Sequence, residues 1–188
     1  LVGTKDRSKI KDYLKDFNEQ ISLVSDVKDF KKYEDLSVTN FLENTRAYLK
    51  IQDGCNNFCS YCIIPYVRGT IKSRSKEEVI KEAKHLLSLG YKEIVLTGIH
   101  TGSYGKDLDG EIEFSELLLR VSDIGIDRIR FVTSHPWDFT DKMIDVISKR
   151  DNIMPYIHLP LQSGSNKILK LMGRRYTKEK YLELANKL

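Results

Sequence analysis

The stretch "GCNNFCSYCIIPYVRG", Gly54 to Gly69, holds every cysteine of the chain: Cys55, Cys59 and Cys62. Three thiols this close together cannot all pair with one another, so the pattern points to metal rather than to a disulfide framework. Cysteine thiolates bind both zinc and iron–sulfur clusters. Three ligands on one short loop can hold three corners of a cubane cluster. The fourth iron is then left for a substrate, as a catalytic zinc keeps an open position. A zinc site would need a fourth donor, and His85, His100, His135 and His158 all lie far away in sequence. Zinc modules also tend to come as paired CxxC knuckles, which this is not. A cluster, a zinc site and incidental thiols all remain open, with the spacing favouring the cluster.

The residues around the loop set its context. "YLKIQ" (48–52) reads as a short strand that delivers the chain into the cysteines. "SRSKEEVIKEAKHLLSLG" (73–90) predicts a helix, with capping-box spacing between Ser75 and Glu78 and a glycine stop at Gly90. Alternation follows: strand "EIVLTG" (93–98), a Gly-rich loop, helix "FSELLLRVSDIG" (114–125), strand "RIRFVTS" (128–134), helix "DFTDKMIDVISKR" (138–150). "YIHLPLQSG" (156–164) reads as a fourth strand, and "SNKILKLM" (165–172) and "KEKYLELANKL" (178–188) as further helix. Continuous apolar strands alternating with helices predict an α/β fold with a parallel sheet, a partial β/α barrel of about four units. Ligands in such folds bind at the carboxyl ends of strands. Each cluster of glycine or unusual polar residues falls at such an end. Residues 1–45 show only weak helical periodicity, in "SKIKDYLKDF", and read as a linker or the edge of a preceding domain. The chain opens without an initiator Met and reads as part of something longer.

Apolar residues make up 40% of the chain and charged ones 31%, the balance of a folded globular domain. No apolar run approaches the roughly 20 residues that span a bilayer, so no membrane partner is expected, and the clustered thiols suggest a reducing cytoplasmic compartment. The net charge of +4 is unevenly placed. Segment 63–76 carries Arg68, Lys72, Arg74 and Lys76 with no acidic residue, and segment 166–188 carries seven basic residues against Glu179 and Glu183. The remainder of the chain is therefore net acidic. Such concentration fits a surface facing a polyanion, and it equally fits solvated loop and helix faces.

Cys-x3-Cys-x2-Cys after the first strand of a β/α unit resembles the radical S-adenosylmethionine (radical SAM) superfamily. "QDGCNNFCSYCIIPYVRG", "TSHPWDFTDKMIDVI" and "IHLPLQSGSNKILKLMGRRYT" narrow the resemblance to its tRNA adenosine-37 2-methylthiotransferases. These place a methylthio group on C2 of an already N6-modified adenosine beside the anticodon. The resemblance implies a [4Fe-4S] cluster on Cys55, Cys59 and Cys62, whose open iron binds SAM. One electron, from a donor such as a flavodoxin or ferredoxin, then cleaves the sulfonium, and a 5′-deoxyadenosyl radical takes the C2 hydrogen. It implies a cofactor role for Tyr61 near the adenine, for Gly98 by close approach, and for Ser134 and Gln162 as polar contacts to SAM. Core packing or loop capping is the plainer alternative for each. Arg68, Arg74, Arg174 and Arg175 are nominated for tRNA phosphates, since guanidinium groups suit them. His100 and His135 read as structural hydrogen-bonding residues, and Trp137 as packing beneath its loop.

The resemblance divides the chain into 1–45, the tail of an N-terminal methylthiotransferase domain with its linker, and 46–188, a radical SAM core truncated at its C-terminal side. The family's N-terminal auxiliary-cluster cysteines, its later strands and its C-terminal RNA-binding barrel are not in this stretch, so the resemblance implies that the stretch alone is incomplete for the reaction. "GTKDRSKI" and "VLTGIHTGSYG" are closer to the branch acting on threonylcarbamoyl-adenosine. "TSHPWDFTD" and "MGRRYT" are closer to the isopentenyl-adenosine branch, to which the balance tips. The rival readings are a ribosomal-protein aspartate methylthiotransferase and a zinc-stabilised RNA-binding module without chemistry.

Overall fold

Along Arg46–Lys50 (β1) every second residue is apolar: Ala47 and Leu49 are fully buried, while Arg46 and Tyr48 face outward. That alternation is what one covered sheet face demands. Glu93–Thr97 (β4) is apolar through its middle and buried along most of its length, as a central strand should be. Arg128–Phe131 (β5) alternates again, burying Ile129 and Phe131. The three form a parallel sheet in the order β1-β4-β5, with Arg46, Glu93 and Arg128 in one row. Between β1 and β4 the two-residue strands Gln52–Asp53 (β2) and Lys72–Ser73 (β3) pair antiparallel. The computed structural model describes residues 1–15, 22–29, 32–36, 45–109, 112–132 and 135–188.

Three helices cover one face of the sheet. Lys76–Ser88 (α3) starts as its sequence says: the Ser75 hydroxyl accepts from the Glu78 N–H at 3.3 Å. Phe114–Ser122 (α4) and Asp141–Ser148 (α5) follow β4 and β5, and the Thr140 side chain caps the latter. Val79, Ala83 and Leu86 of α3, Leu117, Leu118 and Val121 of α4, and Met143 of α5 close over Leu49, Ile94, Leu96 and Ile129 as one core. Shorter helices are Ile10–Tyr13 (α1), Ile64–Arg68 (α2), Asn166–Leu171 (α6) and Lys178–Lys187 (α7). The weak periodicity of "SKIKDYLKDF" is met by α1 and a preceding 3-10 turn over Arg7–Lys9, and its last residues lie outside the described ones.

One expectation is corrected. "YIHLPLQSG" is not a strand: the fourth position of the sheet is a single parallel bridge, Ile129 to Ile153, just before it. The bonds there are Ile129 N–H to Asn152 O at 2.7 Å and Met154 N–H to Ile129 O at 2.9 Å. Pro155 and Pro160 have no N–H to give a ladder, and the chain beyond Met154 runs on without pairing. The β/α alternation therefore holds through three laddered strands and a bridge.

The far end of the sheet is tied by charge. Buried Glu93 receives Arg128 and Arg130, each at 3.1 Å, and Arg46 from the other side. Burial pushes its carboxyl up, but the Arg128 and Arg46 hydrogen bonds outweigh it and hold the group below the usual carboxylate range. Truncating Leu96, fully buried in the central strand, to Ala is expected to cost about 2–5 kcal/mol. Urea unfolding should show this as a lower midpoint at unchanged slope, whereas Tyr48→Ala on the outward face should shift it by less than about 1 kcal/mol.

Candidate functional site

The cysteine loop is closed at its base by β2 and β3, with Gln52 opposite Ser73 and Asp53 opposite Lys72. Cys55 N–H donates to Gly69 O at 3.0 Å just inside that pair. Gly54 sits at φ 71°, and a Cβ there would lie 1.9 Å from Thr70 O, so no side chain fits. Phe58 at φ 44° turns the chain between the first two cysteines. Cys62 N–H bonds Cys59 O, and Ser60 N–H bonds Met172 O at 3.2 Å. Gly173 lies against the same stretch, its Cβ position 3.8 Å from Cys59 Cα. The "MGRRYT" segment thus rests directly on the cysteine loop.

All three thiols are free; Cys55 and Cys59 are buried and Cys62 is half-buried. Burial pushes the Cys55 thiol up, and the neighbouring Cys59 and Cys62 push it further. Three thiolates gathered on one loop repel one another, and a cationic iron core offsets that repulsion. Among the described residues no three His, Cys, Asp or Glu side chains converge as a single ion requires. Sulfurs spread around the corners of a cubane need no such convergence. The donor set therefore fits an iron–sulfur cluster held by Cys55, Cys59 and Cys62.

Sequence reasoning missed the residue that aims this loop. Gln52 is fully buried. Its Nε2 donates to Asp53 O and Gly54 O at 2.6 and 2.7 Å, and its Oε1 accepts the His100 N–H at 2.9 Å. One amide side chain thus joins the loop after β1 to the loop after β4. Gly98 owes its missing side chain to this: a Cβ would stand 3.0 Å from Gln52 Oε1 and 3.2 Å from Gln52 Cβ. A glutamine two positions before "GC", at the end of an apolar strand, was the available signal.

His100, 2% exposed, lies 4.0 Å from Cys55 Sγ and 3.1 Å from Asn57 Nδ2 through its Nδ1, and its Nε2 comes within 2.8 Å of Asp138 Oδ2. Burial raises the Asp138 carboxyl, but hydrogen bonds from His100 and Lys106 prevail and hold it low. His135 stacks on Trp137 at 4.3 Å between ring centroids and meets His100 edge-on at 4.4 Å. Both histidines are therefore built into the wall beside the cysteines, as structural histidines would be, and Trp137 packs beneath them.

The other nominated residues divide. Tyr61 donates its hydroxyl to Gln162 Oε1 at 2.9 Å, so those two meet. Ser134 lies outside the described residues. Arg74 is corrected: it is 4% exposed, 2.6 Å from Glu82 Oε2 and 2.7 Å from Asp35 Oδ1. It cannot reach a phosphate without breaking both pairs. Arg68 stays at the surface, 3.6 Å from Asp53, and Arg175 is exposed beside Trp137. Arg174 is turned inward, with Nη1 2.7 Å from His135 Nδ1 and Nη2 donating to the Tyr61 hydroxyl.

With a parallel sheet carrying three thiols at its carboxyl rim, the chain matches the radical SAM superfamily over residues 49–188. The chain belongs to that superfamily, which uses a [4Fe-4S] cluster and SAM. It is 47% identical, over its whole length, to the threonylcarbamoyladenosine tRNA methylthiotransferase MtaB of Bacillus subtilis, covering 43% of that protein. It is 54% identical over 77% of its length to the tRNA-2-methylthio-N(6)-dimethylallyladenosine synthase of Staphylococcus aureus, covering 28% of it. The chain thus spans less than half the length of these curated relatives. In fold it is similar to the radical SAM methyltransferase TsrM of Kitasatospora setae, solved with tryptophan and the SAM analogue aza-SAM. That match has a TM-score of 0.59 at 17% identity, over 76% of this chain and 28% of the other.

Two outcomes follow from this geometry. Gln52→Leu keeps the volume but strands two buried carbonyls and an N–H, and should destabilise the fold by about 2–4 kcal/mol, read by urea denaturation. Burial, with help from His100 and Arg174, holds the His135 imidazole down to about 3. Its unfolded value is about 6.5. A folded state that refuses this proton is fully stabilised above pH ~6.5 and loses that share as pH falls toward 3, because the unfolded chain takes the proton first. Between pH ~6.5 and ~5, above the range of the carboxylates, His135→Gln should flatten the fall of the urea midpoint.

Proposed function

We propose that this chain is the radical SAM core, with adjoining N-terminal residues, of a methylthiotransferase acting on C2 of an N6-modified adenosine in tRNA, at position 37. The observation that carries the reading is the pinned three-thiol loop with "MGRRYT" packed onto it, in a chain similar from end to end to a tRNA methylthiotransferase. Residues 46–188 are the core and 1–45 belong with the domain before it. The work is cytoplasmic, and no described helix is long and apolar enough to cross a membrane.

Cys55, Cys59 and Cys62 hold the cluster. When bound, cluster and SAM supply the one-electron chemistry, fed by a flavodoxin- or ferredoxin-type donor. The chain's own residues supply placement. Gln52 fixes the loop against the end of β4, where Gly98 leaves room; Tyr61 and Gln162 form a hydrogen-bonded edge for SAM. Buried His100, backed by half-buried His135, Trp137 and Asp138, keeps water from the Cys55 side of the thiols. Arg68 and Arg175, at the surface, are the tRNA contacts.

The test uses the full-length protein reconstituted anaerobically. It should bind about four irons per cluster with matching sulfide, cleave SAM reductively to 5′-deoxyadenosine, and add the mass of a methylthio group to tRNA. Cys59→Ala should lose iron and cleavage together. Offering isopentenyl- and threonylcarbamoyl-adenosine tRNA side by side identifies the substrate branch. Zinc without acid-labile sulfide, or methylthiolation of a ribosomal-protein aspartate alone, would replace this reading.

A further inference from the structure

Two segments distant in sequence, Tyr61 and His135–Trp137, meet at the guanidinium of Arg174. Arg174 Nη1 lies 2.7 Å from His135 Nδ1, and Nη2 donates to the Tyr61 hydroxyl. Its charge stands over the Trp137 ring at 5.8 Å and over the Tyr61 ring at 5.7 Å. The Tyr61 hydroxyl donates onward to Gln162 Oε1, and Gln162 is held at φ 69°, a conformation unusual for glutamine. Tyr61 lies between Cys59 and Cys62, so whatever fixes its ring fixes the floor beside the thiols.

This arginine differs from the others of the basic segments. Arg74 is matched by two carboxylates and Arg68 by one. Among the described residues Arg174 pairs with no carboxylate; its partners are His135 and Tyr61. A half-buried charge over two aromatic rings is held there by cation–π attraction and by its two hydrogen-bond partners. A planar fork also does what a lysine cannot: it stacks on Trp137 while bonding two partners in fixed directions.

We propose that Arg174 is a positioning residue of the SAM site and not an RNA phosphate contact. It locks Tyr61 onto Gln162 and so fixes the edge against which SAM binds. The inference rests on the function proposed above.

The experiment measures three things on the reconstituted full-length protein: iron and sulfide content, SAM affinity by equilibrium dialysis without reductant, and tRNA affinity by filter binding. Arg174→Ala should keep its iron, bind SAM about tenfold more weakly and bind tRNA within about twofold of wild type. Arg174→Lys should not restore SAM affinity. Tyr61→Phe alone should weaken SAM binding, and adding it to Arg174→Ala should weaken it little further, since both act through one contact. Unchanged SAM affinity in Arg174→Ala, rescue by lysine, or a loss confined to tRNA would overturn the inference while leaving the methylthiotransferase reading standing. If Arg174→Ala loses its iron, Tyr61→Phe, which removes only a hydroxyl, decides: wild-type SAM affinity there overturns the inference. A wild-type protein that holds iron but binds no SAM removes the functional reading and the inference together.

Discussion

Three main-chain groups from two loops end on the side chain of Gln52, and the rest of the site depends on that junction. A parallel strand delivers the chain to the carboxyl rim but says nothing about where the next residues go. The buried amide supplies the direction. It holds Asp53 and Gly54 on one side and His100 on the other, in a place where water cannot substitute. Unpaired, each of these groups would cost more than its bond contributes. The cysteine loop is then closed by β2 and β3 and seated against Gly173. The backbone that carries the three thiols is thus fixed by bonds of the fold itself.

The charges sort by depth rather than by sequence neighbourhood. Arg46, Arg128 and Arg130 surround Glu93 at the end of the sheet away from the thiols, and Arg74 is consumed by Glu82 and Asp35. These arginines stabilise the scaffold, since a buried carboxylate or guanidinium left alone would be strongly unfavourable. The outer basic groups are Arg175 and the lysines of α6 and α7, with Arg68 half-buried beside Asp53. The excess of positive charge read from segments 63–76 and 166–188 is real, but part of it never reaches the surface.

Much of the scaffold was legible because its signals are local. The Ser75 cap, the apolar run of β4 and the glycine stops depend on near neighbours and appear where the sequence puts them, while the first strand, read over 48–52, lies at Arg46–Lys50. The fourth strand failed for an equally local reason, two prolines that apolar periodicity did not weigh. The β2–β3 pair was not legible, because two residues on each side of the cysteine loop carry no periodicity.

The sequence alone determined the chemistry on offer: three thiols on one loop, at the carboxyl end of a strand, in a β/α chain. Spacing and strand order are properties of the chain itself, so they could be read without coordinates. Only the tertiary structure decided what each lone polar residue does. Arg74 and Arg174 look alike in sequence, yet one is neutralised in the interior and the other clasps Tyr61 and His135. Gln52 and Asp138 sit inside quoted motifs, but nothing in those motifs says what their side chains bond. Their partners lie tens of residues away along the chain, and a long-range hydrogen bond leaves no mark on the spacing of the residues that make it.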